Sequence, residues 1–164
     1  MAEPAVVVER VDPADPTALA RVHRIRFEVF VDEQGVAPAD ELDDRDAGAV
    51  HLLAIGSRAG APQAQDLGTA RLLDDGPGLA HASRVAVRRP GRGRGVGRML
   101  MAALEREALA LHADRAAEIR MVLSGQESAL GFYAALGYAV GSERYLDAGI
   151  WHRDAVKVLR PGGS

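Results

Sequence analysis

The stretch RVAVRRPGRGRGVGRML, Arg84 to Leu100, holds six arginines and four glycines in seventeen residues. It opens as a strand and closes in an apolar pattern. Val96, Leu100, Ala103, Leu104 and Leu111 fall on one face of a helix of about four turns. A strand, a tight glycine turn and a helix N-terminus in that order form an anion site. The first backbone N–H groups of the helix are unpaired and carry the positive end of its dipole, and glycine lets the backbone approach a ligand closely.

Four readings of this turn compete. Glycines 91, 93, 95 and 97 recur at every second position, so no register matches G-x-G-x-x-G, and the turn lies mid-chain rather than in an opening β-α-β unit. A P-loop needs lysine after its last glycine, and Arg98 stands there. Arginine- and glycine-rich arms that bind nucleic acid are longer and are not wedged between a strand and a helix. A pyrophosphate cradle fits best, with Arg88, Arg89, Arg92, Arg94 and Arg98 supplying charge.

Outward from the turn, the chain reads as a mixed α/β pattern. Strands are expected at 5–11, 49–57, 67–75, 79–87 and 118–124. A helix with Leu19, Val22, Ile25 and Val29 inside follows the first strand, and a polar loop follows it over 31–48. A hairpin loop is expected at 58–66. Ser124 and Glu127 have capping-box spacing for a helix with Ala129, Phe132, Tyr133 and Leu136 inside and Gly137 at its end. Two strands, 138–145 and 150–160, close the chain. With 164 residues, no repeat and no linker, one domain over 1–164 is expected.

Composition narrows the function. The chain is 48% hydrophobic and 26% charged, as in globular proteins generally. The absence of cysteine excludes disulfides, a thiol nucleophile and thiolate metal sites, and no H-E-x-x-H or similar cluster occurs, so no metal is expected. No apolar run reaches membrane-spanning length and the N-terminus lacks signal-peptide features, so a cytoplasmic protein without membrane or nucleic-acid partners is expected. The net charge of −3 is unevenly placed. Six arginines lie between Arg84 and Arg98, and eight acids between Glu28 and Asp46. The acidic stretch favours a cationic or amine partner.

Two motifs carry a resemblance. Arg92-Gly93-Arg94-Gly95-Val96-Gly97 matches R-x-x-G-x-G, and Gln126, Ala129, Tyr133, Gly137 and Tyr138 match N-x-x-A-x-x-x-Y-x-x-x-G-F/Y with Gln for Asn. Together they resemble the GNAT (GCN5-related) N-acetyltransferases. VFVDEQGV, DELDDRD, His51 and YLDAGIWH extend the likeness to the ElaA-like and YjcF-like branch, with Trp151 where Pro is expected.

The resemblance implies a GNAT acyl-CoA N-acyltransferase fold, a central mixed β-sheet flanked by helices, with acetyl-CoA as cosubstrate. It implies that the fourth strand splays from the fifth. Val85, Ala86 and Val87 would then meet the pantetheine arm, Arg92 to Arg98 the pyrophosphate, and Gln126 and Tyr133 the cofactor from the other side. Tyr133 is the expected proton donor to the thiolate. Glu33 and His51 are the leading bases, with Glu41, Asp43, His152 and a water chain as alternatives. The acceptor is expected to be an amine on a small molecule or peptide. The oligomeric state is open, a homodimer included. A catalytically silent CoA-binding or sensory module is the competing function, and it would be expected to have lost Tyr133 or the cradle glycines.

Overall fold

A computed structural model describes residues 5–57 and 63–162. Seven strands form one sheet in the order β1-β2-β3-β4-β5-β7-β6. They are β1 (Val6–Val11), β2 (Val50–Gly56), β3 (Gln65–Asp74), β4 (Leu79–Val87), β5 (Ile119–Gln126), β6 (Ala139–Asp147) and β7 (Ile150–Leu159). All neighbours are antiparallel except β4 and β5, which α3 (Val96–His112) joins as a parallel crossover. The sheet is mixed and flanked by helices, as expected.

The main core lies between the sheet and α3, whose Val96, Leu100, Met101, Leu104 and Ala108 are buried. Leu111, expected on that face, is exposed near the end of the helix, and Ala108 closes the stripe instead. On the opposite face of the sheet, α1 (Pro16–Arg26) packs Val22 and Ile25 against Leu53 and Ala86. Asp15 caps it through Thr17 and Ala18 N–H groups, and Pro16 occupies its first turn. The helix then widens into a π-helical segment, Phe27–Glu33, which keeps Val29 buried. The polar loop beyond it contains a short helix, α2 (Pro38–Glu41).

Two expectations need correction. β5 runs two residues further than its hydrophobic alternation indicates, to Gln126, so Ser124 is a strand residue and caps nothing. Its hydroxyl bonds to the Tyr145 hydroxyl instead. A 3₁₀ turn, Glu127–Ala129, leads into α4 (Leu130–Ala135) without a side-chain cap. Gly137 does end that helix at positive φ, +97°. The expected hairpin loop at 58–66 lies partly outside the described residues, and β3 takes up its last two positions.

Candidate active site

The site begins where two strands part. β4 and β5 stay in register from Leu79–Arg120 to Ala82–Leu123, and beyond that point no pairing joins them. β4 continues on its other edge against β3, with Ala86 opposite Thr69 and Val87 opposite Gly68. Between Ser83, opposite Arg71, and Ala86, opposite Thr69, β4 carries one extra residue. Arg84 sits at this bulge with φ +52°, a costly conformation for a branched or long side chain. Such a bulge bends a strand, and here it accompanies the divergence of β4 from β5. Backbone groups on the free edge of Ser83–Val87 are left to pair with something other than a strand.

The open slot is part of a cleft of about 740 Å³. Val85, Ala86, Val87 and Arg92 line it on the β4 side, and Gln126, Ala129 and Tyr133 on the β5 side. At its end the chain turns through Gly93 and Gly95, both at φ +75°. A Cβ added at either would meet nothing within 4 Å, so the turn is a bare backbone surface. Gly95 is the N-cap of α3, and no side chain caps that end. Free amides, a helix N-terminus and open space suit phosphate oxygens. The other two glycines serve packing: a Cβ at Gly91 would lie 3.1 Å from Leu67, and one at Gly97 would lie 3.2 Å from the Phe132 ring.

Tyr133 stands on the β5 side. Its ring crosses the Phe132 ring edge-on at 5.1 Å and the Tyr138 ring at 6.1 Å. Gly125 makes room for it, since a Cβ there would come within 3.3 Å of the Tyr133 ring. Burial pushes the Tyr133 phenol up to about 12, so the hydroxyl stays protonated at neutral pH.

The π-helical segment bridges the slot. Glu28 accepts from Arg88 at 2.7 Å, Glu33 from Arg92 at 2.5 Å, and Gln34 from the Gln126 amide at 2.7 Å. Of the two leading bases, Glu33 therefore reaches the cleft, but as the ion-pair partner of Arg92. His51 does not reach it: the ring is fully buried, bonded at Nε2 to the Asp46 carbonyl at 2.8 Å, and burial lowers its affinity for a proton.

The acidic stretch also proves different from its sequence appearance. Five of its eight carboxylates, Glu28, Glu33, Glu41, Asp43 and Asp46, pair with arginines of this chain, and Asp32, Asp40 and Asp44 are exposed. Arg26, with no exposed surface, bonds Glu41 and, at 2.9 Å, Asp46. Arg71 bonds Asp43 at 2.7 Å and Asp46 at 2.9 Å. Arg84 donates to the Glu41 carbonyl at 3.0 Å. Burial works against the Asp46 carboxylate, but hydrogen bonds from Arg26 and His23 outweigh it and hold the group well below the usual carboxylate range. Five of the eight acids are thus neutralised within the chain, and three are left facing solvent as the basis for a cationic partner.

Comparison with known proteins decides the family. Residues 44–140, more than half of the chain, match the acetyltransferase (GNAT) domain model. The chain is 34% identical over 134 residues to the uncharacterized N-acetyltransferase YjcF of Bacillus subtilis strain 168, covering 81% of this chain and 87% of YjcF.

The chain belongs to the GNAT acetyltransferase family.

Among solved structures it superposes on an acyl-CoA N-acyltransferase from Pseudomonas aeruginosa with a TM-score of 0.74 and 30% identity, covering 93% of this chain and 99% of the other. Escherichia coli ElaA shares the fold at the same TM-score and 23% identity, covering 92% and 99% of the two chains. Membership makes this chain an N-acetyltransferase that takes its acyl group from a CoA thioester. In this GNAT domain, no group of three or more His, Asp or Glu side chains among the described residues could hold a metal ion. No helix among them is long and apolar enough to cross a membrane.

Sequence reasoning missed the arginine–carboxylate network, of which Glu41, Asp43, Arg71 and Arg84 line the cleft. Arg26 and Arg71 were legible only as charges interrupting apolar patterns, Arg26 beside Ile25 and Arg71 between Ala70 and Leu72. That signal, a charge inside an otherwise buried run, was available.

Proposed function

We propose that this protein transfers an acetyl group from acetyl-CoA to a primary amine on a small molecule or peptide, by direct attack while both substrates are bound. The observation that carries this reading is the slot between β4 and β5, open past Ala82 and Leu123 and ending on the bare Gly93–Gly95 turn. Val85, Ala86 and Val87 would present backbone groups to the pantetheine arm, and one N–H there would polarise the thioester carbonyl. The amides and arginines of Arg92 to Arg98 would hold the pyrophosphate, and Gln126 would close the slot from β5. When bound, acetyl-CoA supplies the activated acyl carbon and a sulfur leaving group.

Tyr133 donates its hydroxyl proton to that sulfur. Burial keeps the proton on the phenol until it is needed and makes a lasting phenolate costly. Tyr133 must therefore regain a proton in the same turnover, from the nitrogen that becomes the amide. A phenol at the slot and an intact glycine turn support an enzyme over a silent CoA-binding module. Acetyl-CoA consumption with a panel of amines, amino sugars, polyamines and peptides tests the reading. Turnover with an amine and none with alcohols is expected; transfer to hydroxyls alone would overturn it.

A further inference from the structure

Residues of β5 alternate between two faces of the sheet. Ile119, Met121 and Leu123 are buried in the main core, and Gly125 continues that face beneath Tyr133. Val122, Ser124 and Gln126 belong to the opposite face, where Gln126 meets Gln34 of the bridging segment. In the antiparallel register with β7, Asp154 stands opposite Ser124 and His152 opposite Gln126, so both share that second face.

His152 is 8% exposed and lines the cleft. Its Nδ1 lies 2.7 Å from the Ile150 carbonyl oxygen. A carbonyl only accepts, so Nδ1 carries the hydrogen and the neutral ring keeps its lone pair on Nε2. The ring stacks on Tyr145 at 6.1 Å and 20°, and the Tyr145 hydroxyl is held by Ser124 and by Asp154, the latter at 2.5 Å. The imidazole is thus fixed in tautomer and in plane. His81, the other cleft histidine, is level with Val122, where β4 and β5 are still paired. His152 is level with the open part of the slot.

We propose that His152 is the general base, taking its proton on the face of β5 opposite Tyr133. The inference rests on the acetyl-transfer reading above and assigns the two proton transfers to opposite sides of one strand edge. Nε2 of His152 takes a proton from the protonated amine. The freed nitrogen lone pair forms the C–N bond, and the C–S bond breaks with its electron pair on sulfur. Sulfur takes the Tyr133 proton, Tyr133 recovers one from the new amide nitrogen, and His152 releases its proton to solvent. The net products are the acetamide, free CoA thiol and one proton.

His152→Asn tests this, because the Asn amide can still donate to Ile150 while the basic nitrogen is gone. We expect kcat to fall by about 10²-fold or more, with the acetyl-CoA thermal shift unchanged. A folded His152→Asn protein at the wild-type kcat overturns the proposal. A second measurement needs no turnover. Long-range ¹H–¹⁵N spectra of the wild-type protein in alkaline buffer, with the His152 signal identified by its loss in the variant, should show hydrogen on Nδ1 and a bare Nε2. Hydrogen on Nε2 overturns the proposal even if the amine is unknown. Absence of any acetyl-CoA stabilisation in the wild type would instead sink the reading of the site itself.

Discussion

Arg92 and Glu33 stand 2.5 Å apart across the mouth of the slot, so the guanidinium proposed to meet a phosphate is already held by a carboxylate. Arg89 adds a longer contact to the same carboxylate at 3.8 Å. Glu33 thereby opposes the binding of an anion at this turn.

Glu33→Gln keeps the size of the side chain and removes that opposition. Acetyl-CoA should bind more tightly by up to about five-fold, the worth of a partly exposed pair at roughly 0.2–1 kcal/mol. Calorimetric Kd values for the two proteins check this. Weaker binding would mean that Glu33 orients Arg92 for the phosphates rather than competing with them.

Tyr133→Phe removes one hydroxyl and preserves the ring contacts with Phe132 and Tyr138. Burial alone accounts for the raised proton affinity of the phenol, with no partner group contributing. The melting temperature should therefore hardly change, while kcat falls by about 10²–10⁴-fold. A phenol acts as an acid only below its own ionisation, so in the wild type its loss should not limit the rate until pH nears 12. A fall in stability with kcat intact would make Tyr133 a structural residue.

Asp46→Asn should destabilise the fold by about 1.5–3 kcal/mol, because Arg26 and Arg71 lose their shared charged acceptor while Arg26 keeps Glu41 and Arg71 keeps Asp43. Asp46 and Asp43 are both held below the ordinary carboxylate value. Their stabilisation is full above about pH 4 and is lost as pH falls below the unfolded-state value toward the lower folded one. Urea unfolding across that acid range should show a steeper loss in the wild type than in Asp46→Asn. Equal slopes would remove Asp46 from the acid response.

Much of this was legible in the sequence, for physical reasons that differ by element. The strand–turn–helix at Arg84–Leu100 is written in local chemistry: β-branched residues, glycines that need positive φ, and a helical stripe. Local reading therefore sufficed for it. The slot was legible only through family resemblance, since no local signal says that β4 parts from β5 after Ala82. The capping box at Ser124 failed because pairing with β7 carries β5 two residues past it, to Gln126, so the helix starts too late for Ser124 to cap it. The acidic stretch misled in part for the same reason: the arginines that pair with it, Arg26 of α1, Arg71 of β3 and Arg84, Arg88 and Arg92 of the glycine-rich stretch, are brought to it only by folding. His51 shares its strand face with Leu53 and Ile55, an alternation that points to burial, and both faces of β2 are covered.

The central claim is that the bare turn at Gly93 and Gly95 holds the pyrophosphate of acetyl-CoA. Thermal unfolding of wild type and Gly95→Asp across an acetyl-CoA titration tests it most directly. Gly95 is at positive φ, which Asp tolerates better than most residues, and its Cβ has room, so the variant should fold with a modest loss of stability. The new carboxylate would occupy the phosphate position and repel the ligand. The wild-type melting temperature should climb with the logarithm of acetyl-CoA concentration above Kd, and that of Gly95→Asp should stay flat. An equal climb in a folded Gly95→Asp protein would contradict the account and put the phosphates elsewhere.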